Sequence, residues 1–404
     1  MLLKLAWRNI WRNRRRTVIT LAAIFLAVVL STMMMSLKEG VYDSMIDSAV
    51  GDYMGYVKVN GNGYWEEKSL DYAMEYPDSV EEILKNTKGV SGVVPRIESF
   101  ALAVSDEFTK GSLVVGADPE MEEKFNHLSE RVVEGEYFGP DDKSVLVGQG
   151  LADYLKVKSG DTLVLLGQGY HAASAAGKYP IAGIVKFGSP ELSKQLIFVP
   201  LKEAQWLYNM PDLYTSMILQ FDNPDRSKEV SIALDDQLSE EYEVLHWEEH
   251  NKELKDMIAA DRVEGWVFMF ILYLVISFGI FSTVLMMLQE RKHEFGVLIA
   301  VGMKRKLLAS MVLIETVFIS LLGALCGMIG AFPVTLYFNL NPIQFSEDMA
   351  DIYEEYGMEA VLGTSLDPSI FIQQGTIVAI VACVIALYPY FKITRMRAIT
   401  AMNS

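Results

Sequence analysis

WVFMFILYLVISFGIFSTVLMML, residues Trp266–Leu288, is an apolar run of 23 residues without one charged side chain. A bilayer core takes roughly 20 residues of helix, so this stretch is long enough to cross it. Three further runs share the property: Thr17–Leu37, Leu307–Phe332 with the single acid Glu315, and Ile370–Tyr390. A buried helix of a soluble domain would carry a polar stripe or stop sooner. The expectation is therefore a membrane protein with four transmembrane helices, at 17–37, 266–288, 307–332 and 370–390.

The charges between these runs are segregated. Residues 1–16 hold six Lys/Arg and no acid, the segment 289–306 holds five against Glu290 and Glu294, and residues 391–404 hold three and no acid. That is 14 bases against 2 acids, while the rest of the chain holds 21 against 50. Basic short flanks stay on the cytoplasmic side. Both termini and 289–306 are thus expected to be cytoplasmic, and 38–265 and 338–369 extracytoplasmic. The formal charge of −17 over 404 residues splits into a basic anchor and an acidic exterior, which argues against nucleic acid as a partner. The first span reads as a signal anchor, because its end, Ser31–Ser36, offers no small-x-small cleavage site. Ahead of it, Leu3, Trp7, Ile10 and Trp11 share a helical face beside Lys4, Arg8, Arg12 and Arg15. That pattern predicts an interfacial helix over 1–16, held by tryptophan and anionic lipid.

Between the first two spans, strand-like runs recur at 55–59, 90–94, 100–104, 112–116, 145–148, 162–166, 181–187, 196–199 and 217–221. Short helical stretches fall among them: Val80–Lys85 behind a cap at Asp78-Ser79, Gly150–Leu155, and Leu201–Tyr208. This alternation predicts a large α+β domain, with helical stalk segments leading in from Leu37, Val41 and Met45 and out through Leu254, Met257, Ile258 and Val263.

Little in the chain is catalytic. No G-x-x-x-x-G-K-[ST] phosphate loop occurs, so ATP hydrolysis is not expected of this chain. His246 and His250 stand four apart, a spacing that can hold a metal on a helix, but the surrounding Trp-Glu-Glu reads more simply as a polar stretch, and no metal site is assigned. Cys326 and Cys383 fall inside spans, where a reactive thiolate finds no support. Glu315 is the exception to this plainness. A carboxylate within a span faces a partner or a cavity, and its position about 13 Å past Lys306 brings it near the cytoplasmic interface, where a contact between helices is the preferred reading.

The segment ERKHEFGVLIAVGMKR, Glu290–Arg305, followed by Leu313-Ile314-Glu315 and the glycines Gly323, Gly327 and Gly330, resembles the signature of the FtsX/MacB/LolC superfamily of ABC transporter permeases. His293 and Ile299 depart mildly from it. The resemblance extends to LAWRNI (5–10), VGADPE (115–120), LVGQGLA (146–152), KSGD (158–161), Pro389 and the ending AITAM (398–402), where Ala398-Ile399 replaces an Asp-Pro. It implies a MacB-like periplasmic core between helices 1 and 2, and a permease that pairs with a second permease subunit and with two cytoplasmic ATPase subunits. ATP and Mg would be held by the ATPase, and no cofactor by this chain. Residues 289–306 would be the coupling helix, with Glu290, Arg291, Glu294, Phe295, Gly296, Leu298, Gly302, Lys304 and Arg305 meeting the ATPase. Phe295, Leu298 and Val301-Gly302 would be the apolar insertion points.

Within that group the chain looks closest to the LolC/LolE lipoprotein-releasing type. The implied function is extraction of lipoproteins from the bacterial inner membrane toward a periplasmic carrier. A MacB-type efflux permease with an external adaptor, and an FtsX-like regulator of a cell-wall hydrolase, are the alternatives. Phe25, Val29, Met33, Met34, Phe268, Leu272 and Tyr273 are candidates to face acyl chains, with lipid exposure or helix packing as the plain alternative. The segment Gly167–Pro180, with Tyr170, His171, Lys178 and Pro180, is a candidate carrier loop or a simple hairpin. Within 338–369, Phe345, Met349, Ile352, Tyr353 and Tyr356 line one face of an expected acidic helix.

Overall fold

The computed structural model describes residues 14–344 and 361–396. Of the interfacial helix expected over 1–16, residues 1–13 fall outside them while Arg14–Arg16 begin the first long helix; the acidic helix around 345–356 and the ending AITAM also fall outside. The described residues form two compact units: a helical one (14–43, 259–344, 361–396) and one built on a sheet (44–258).

The main helices are α1 (Arg14–Ile46), α2 (Asp78–Asn86), α3 (Pro119–Asn126), α4 (Gln149–Leu155), α5 (Leu201–Leu207), α6 (Ser227–Asp235), α7 (Lys252–Glu290), α8 (Lys292–Ala300), α9 (Arg305–Leu340) and α10 (Pro368–Thr394). The four expected spans lie in α1, α7, α9 and α10, each long and apolar enough to cross a membrane. The helices overrun the apolar runs because polar residues outside a bilayer remain good helix formers. Both stalk segments are helical, and within the helical unit they are zipped. Lys38 and Tyr42 meet Asp261, and Arg262 meets Glu39 at 2.8 Å. A Cβ on Gly265 would strike the Lys38 ammonium.

The glycines of α9 explain its packing on α1. A Cβ at Gly323, Gly327 or Gly330 would collide with Ile24, Val28 and Phe25 respectively. Small residues four apart let two backbones approach where lipid supplies no hydrophobic drive. The segment 361–367 lies against α1 and α9. Ser365 donates its N–H to the Ser36 carbonyl, and Thr364 its hydroxyl to the Thr335 carbonyl. Both carbonyls lie inside their helices, so these bonds are additional to the helical ladder and tie the segment to it.

The strands of the second unit are β1 (Val57–Gly61), β2 (Met74–Glu75), β3 (Val90–Val104), β4 (Thr109–Ala117), β5 (Val132–Gly135), β6 (Val145–Gly148), β7 (Thr162–Gln168), β8 (Ser174–Val185), β9 (Leu196–Pro200), β10 (Leu213–Tyr214), β11 (Ser216–Phe221) and β12 (Tyr242–His246). One mixed sheet runs β12-β1-β11-β3-β4-β9-β6-β8-β5, with β7 joining β3 and β8, and β2 pairs with β10 apart from it. Only β4–β9 and β6–β8 are parallel. Beside a cluster of Tyr53, Val115, Phe187 and Phe198, two further apolar cores share this sheet. One packs β1, β11 and β12 with α2 and α6 through Val57, Leu84, Leu219 and Leu234. The other packs β6 to β9 with α4 and α5 through Val147, Leu151, Leu163 and Ile197.

Three local expectations are corrected. The strands expected at 90–94 and 100–104 are one strand, β3, whose start pairs with β11 and whose end pairs with β7. Its middle carries Arg96 and Glu98, both buried. Arg96 forks onto Glu122 and donates to the Tyr53 carbonyl at 2.7 Å, and Glu98 takes the Lys58 ammonium at 2.9 Å. Burial pushes the Glu98 carboxyl up, but Lys58 and Arg96 outweigh it and hold it below its ordinary value. Asp78-Ser79 does not cap α2; Pro77 holds that position without a side-chain bond. Tyr242–His246, not expected as a strand, forms the edge strand β12.

Candidate functional site

The segment Glu290–Arg305 is built as a short helix bracketed by two longer ones. Helix α7 ends at Glu290, Arg291 takes φ −97° and ψ 2°, and α8 begins at Lys292. The break coincides with an ion pair. Arg291 turns inward and its Nη1 donates to both Glu315 oxygens, at 3.0 and 2.8 Å. Glu315 is fully buried and Arg291 nearly so. The guanidinium also lies over the Phe295 ring and, at 3.5 Å, touches Glu294. Glu315 therefore meets a basic neighbour at the end of α7, which spacing alone could not name.

Phe295 corrects an expectation. It is 1 % exposed and packs with Met287, Leu288, Leu308, Ala309, Val312 and Ile393. It anchors α8 to the helices beneath and is not an insertion point, and Gly296 is buried beside it. The outward face belongs to Glu290, His293, Glu294, Val297, Leu298, Val301, Gly302, Lys304 and Arg305, all exposed. Val301 is 84 % exposed. Gly302 turns the chain at φ +108°, a left-handed region that favours glycine. The arrangement is an apolar knuckle flanked by charges on a helix fixed at its root, a form suited to insertion into a partner's groove.

The residues suggested to face acyl chains divide. Phe25 packs on Gly330, and Val29 against the cluster of Ala331, Ile370 and Phe371. Tyr273 is half-buried and donates its hydroxyl to Gln374 Oε1. These three make packing contacts within the helical unit, the plain alternative to their suggested role. Met33, Met34 and Leu272 are half-buried and Phe268 is exposed, on an α7 face that is exposed through much of its apolar length. Gln374 is fully buried in α10, a polar group the sequence reading missed. A glutamine within an otherwise apolar run was the available signal.

The candidate carrier loop is mostly strand. Pairing runs from Thr162↔Pro180 to Gln168↔Ser174, so only 169–173 turn. Lys178 and Pro180 face outward on β8 while Tyr179 is buried. Tyr170 donates its N–H to the Tyr208 carbonyl, and His171, at φ 51°, donates its own to Asp71. Phe100, Leu102 and Leu166 are exposed on the neighbouring part of β3 and β7.

His246 and His250 do not converge on a metal. His246 caps the turn at 247–250 through Nδ1 and meets Ser227 through Nε2. His250 Nε2 lies 3.1 Å from the Gly55 carbonyl. Among the described residues no three metal-ligating side chains come together. Burial, with the nearby Lys58 charge, pushes His250 down to about 3. The unfolded chain takes up a proton near pH 6.5 that the folded chain refuses, so this group's stability is complete above 6.5 and falls as pH drops toward 3. Between pH 7 and 5 the sheet unit should lose up to about 1.4 kcal/mol per pH unit through this residue. The same titration in His250→Gln should be flatter, and an unchanged slope in urea melts at the two pH values would refute the assignment.

Two family models match the chain. The MacB-like periplasmic core domain covers residues 17–237 and the FtsX-like permease C-terminal domain covers residues 266–398. The lipoprotein-releasing system transmembrane protein LolC of Neisseria meningitidis serogroup B is 18 % identical, over 78 % of this chain and 75 % of its own length. The macrolide export ATP-binding/permease protein MacB of Nitrosomonas europaea is 22 % identical over 85 % of this chain, which spans only 53 % of that protein. The periplasmic region of MacB from Actinobacillus actinomycetemcomitans aligns with a TM-score of 0.35 and 11 % identity, over 52 % of this chain and 95 % of that one. With one model over more than half of its length and the second over its last three spanning helices, the chain belongs to the MacB/LolC/FtsX family of ABC transporter permeases, as a multi-pass membrane protein.

Proposed function

We propose that this chain is the permease half of a mechanotransmission machine that lifts lipid-anchored proteins out of the bacterial inner membrane. Separate ATPase subunits, holding ATP and Mg, would grip the knuckle at Val297, Leu298 and Val301. The observation that carries the reading is the rooting of this knuckle. Arg291–Glu315 and the Phe295 cluster tie α8 to α9, so a pull on α8 is transmitted into the spanning helices rather than absorbed by a loose turn. The LolC relative, matched over three quarters of its length, supports lipoprotein as cargo. In this reading the basic flanks face the cytoplasm, a second permease subunit completes the bundle, and the exposed apolar strip at Phe100, Leu102 and Leu166 receives a periplasmic carrier.

Depletion in living cells is the direct test. Lipoproteins bound for the outer membrane should accumulate in the inner membrane within a few generations. Correct sorting after depletion would overturn the reading. The MacB relative, named for macrolide export, favours export of small molecules as a second reading. Capture of a membrane-fusion adaptor with normal lipoprotein sorting would select it.

A further inference from the structure

The connection from α9 to α10 bonds to a third helix. Ile343-Gln344 pairs with Val361-Leu362, and α10 starts at Pro368 behind its cap Asp367. Residues 363–366 would need only to bridge these two points. Instead Ser365 and Ser36 of α1 bond twice: the Ser365 N–H donates to the Ser36 carbonyl at 2.9 Å, and the Ser36 hydroxyl donates to the Ser365 carbonyl. Thr364 holds α9 in the same way. Its hydroxyl donates to the Thr335 carbonyl at 2.7 Å, and its own carbonyl accepts from Asn339 Nδ2 at 2.6 Å.

These contacts extend two rows that begin deeper in the helical unit. On α1, Ile24, Val28, Thr32, Ser36 and Gly40 recur four apart, share one face and are all buried. On α9, Gly323, Gly327, Ala331 and Thr335 do the same. The first members of the rows meet directly, Ile24 at Gly323 and Val28 at Gly327. The last members on α1 meet the connection instead. A Cβ on Gly40 would stand 2.5 Å from the Gly363 carbonyl oxygen and 2.8 Å from Thr364 Cα. Both are backbone atoms, so neither can swing aside.

We propose that 363–366 is a strap that makes α1 and α9 move as one beyond their glycine contacts, with Gly40 and Thr364 as its positioning residues. The proposal rests on the permease reading and is independent of the cargo. Because α8 is rooted on α9 through Arg291–Glu315, a pull by the ATPase enters α9 first. The strap passes it to α1, which runs unbroken to Ile46 and carries Lys38, Glu39 and Tyr42 of the zipper to α7.

The test uses the full chain in nanodiscs, with Cys326→Ala and Cys383→Ala, and nitroxides on Asp43→Cys in α1 and Tyr337→Cys in α9, both exposed positions. Spin–spin distances are measured first without the ATPase. The distribution should be narrow, and Thr364→Val, which keeps the side-chain volume and loses the donor, should widen it. Gly40→Ala, which pushes the Gly363 backbone away, should widen it too, while Thr364→Ser, which keeps the donor, should not. Narrow distributions in both Thr364→Val and Gly40→Ala would overturn the strap. With the ATPase bound and ATP trapped by vanadate, the distance in the unsubstituted strap should keep its nucleotide-free value, and a shift would show that the two helices part and overturn joint movement. Stimulated hydrolysis should fall roughly three- to tenfold in Thr364→Val, as for one lost hydrogen bond, and recover in Thr364→Ser. Co-purification with the ATPase, which depends on α8, should not change. Full stimulation beside a widened distribution would overturn the strap's part in coupling. Failure of the chain with an intact strap to bind an ATPase would count against the permease reading, and the measurement without the ATPase would still decide the strap.

Discussion

Arg291→Met alone should destabilise the helical unit by about 3–5 kcal/mol, while Arg291→Met together with Glu315→Leu should restore most of that loss. The reason is the burial of both partners. Glu315 is fully covered and its two oxygens are held by one guanidinium group. Removing Arg291 takes the guanidinium from a carboxylate that stays fully buried, which is far worse than never having placed one there. Removing both leaves a methionine and a leucine among Phe295, Leu308 and Val312, which are themselves apolar. Thermal melts in detergent should show a drop on the order of 10 °C for the single variant and a few degrees for the double one. Function should not follow stability. The double variant regains its melting temperature but loses the tether at the break between α7 and α8, so ATPase stimulation should stay low. Equal melting of all three proteins would remove the pair from the stability of this unit, and full stimulation in the double variant would remove it from coupling.

The architecture was readable where one residue decides one thing. An apolar run of 23 residues has few other uses than a span, and 14 bases against 2 acids split the chain before any motif was considered. Val145–Gly148 reads as a strand and is one, because all four residues are buried. The middle of β3 was illegible for the opposite reason. Pro95, Arg96 and Glu98 look like a break, and they stay in the sheet only because Glu122 and Lys58 arrive from 26 and 40 residues away to match their charges. Glu315 was legible as an oddity but not as half of a pair, since Arg291 lies 24 residues upstream. Phe295 is different, because the signal was present. Arg291, Phe295 and Ile299 recur four apart and so share one face of α8. That face turns inward, and Leu298 and Val301 fall on the other.

Val301→Asp and Leu298→Asp should each abolish productive contact with the ATPase while leaving the melting temperature where it is. Val301 is 84 % exposed and Leu298 40 %, so neither change removes core packing, and a surface carboxylate costs the fold little. At an interface the same carboxylate would enter a desolvated groove without a partner. Central apolar anchors are typically worth about 2–4 kcal/mol, so assembly should weaken roughly 30- to 1000-fold per site. Gly302→Val should act by another route. At φ +108° a β-branched residue is strained, and the turn that presents Lys304 and Arg305 must change. Open space around Gly302 means that its effect comes from the backbone and not from a clash. Phe295→Ala is the contrasting variant: it should lower stability by about 3–5 kcal/mol because its ring fills a packed cluster. Co-purification with the ATPase and stimulated hydrolysis, read beside melting curves, separates the two classes. Full assembly by Val301→Asp would place the gripping surface elsewhere, and a stable Phe295→Ala protein that fails to assemble would return Phe295 to the interface itself.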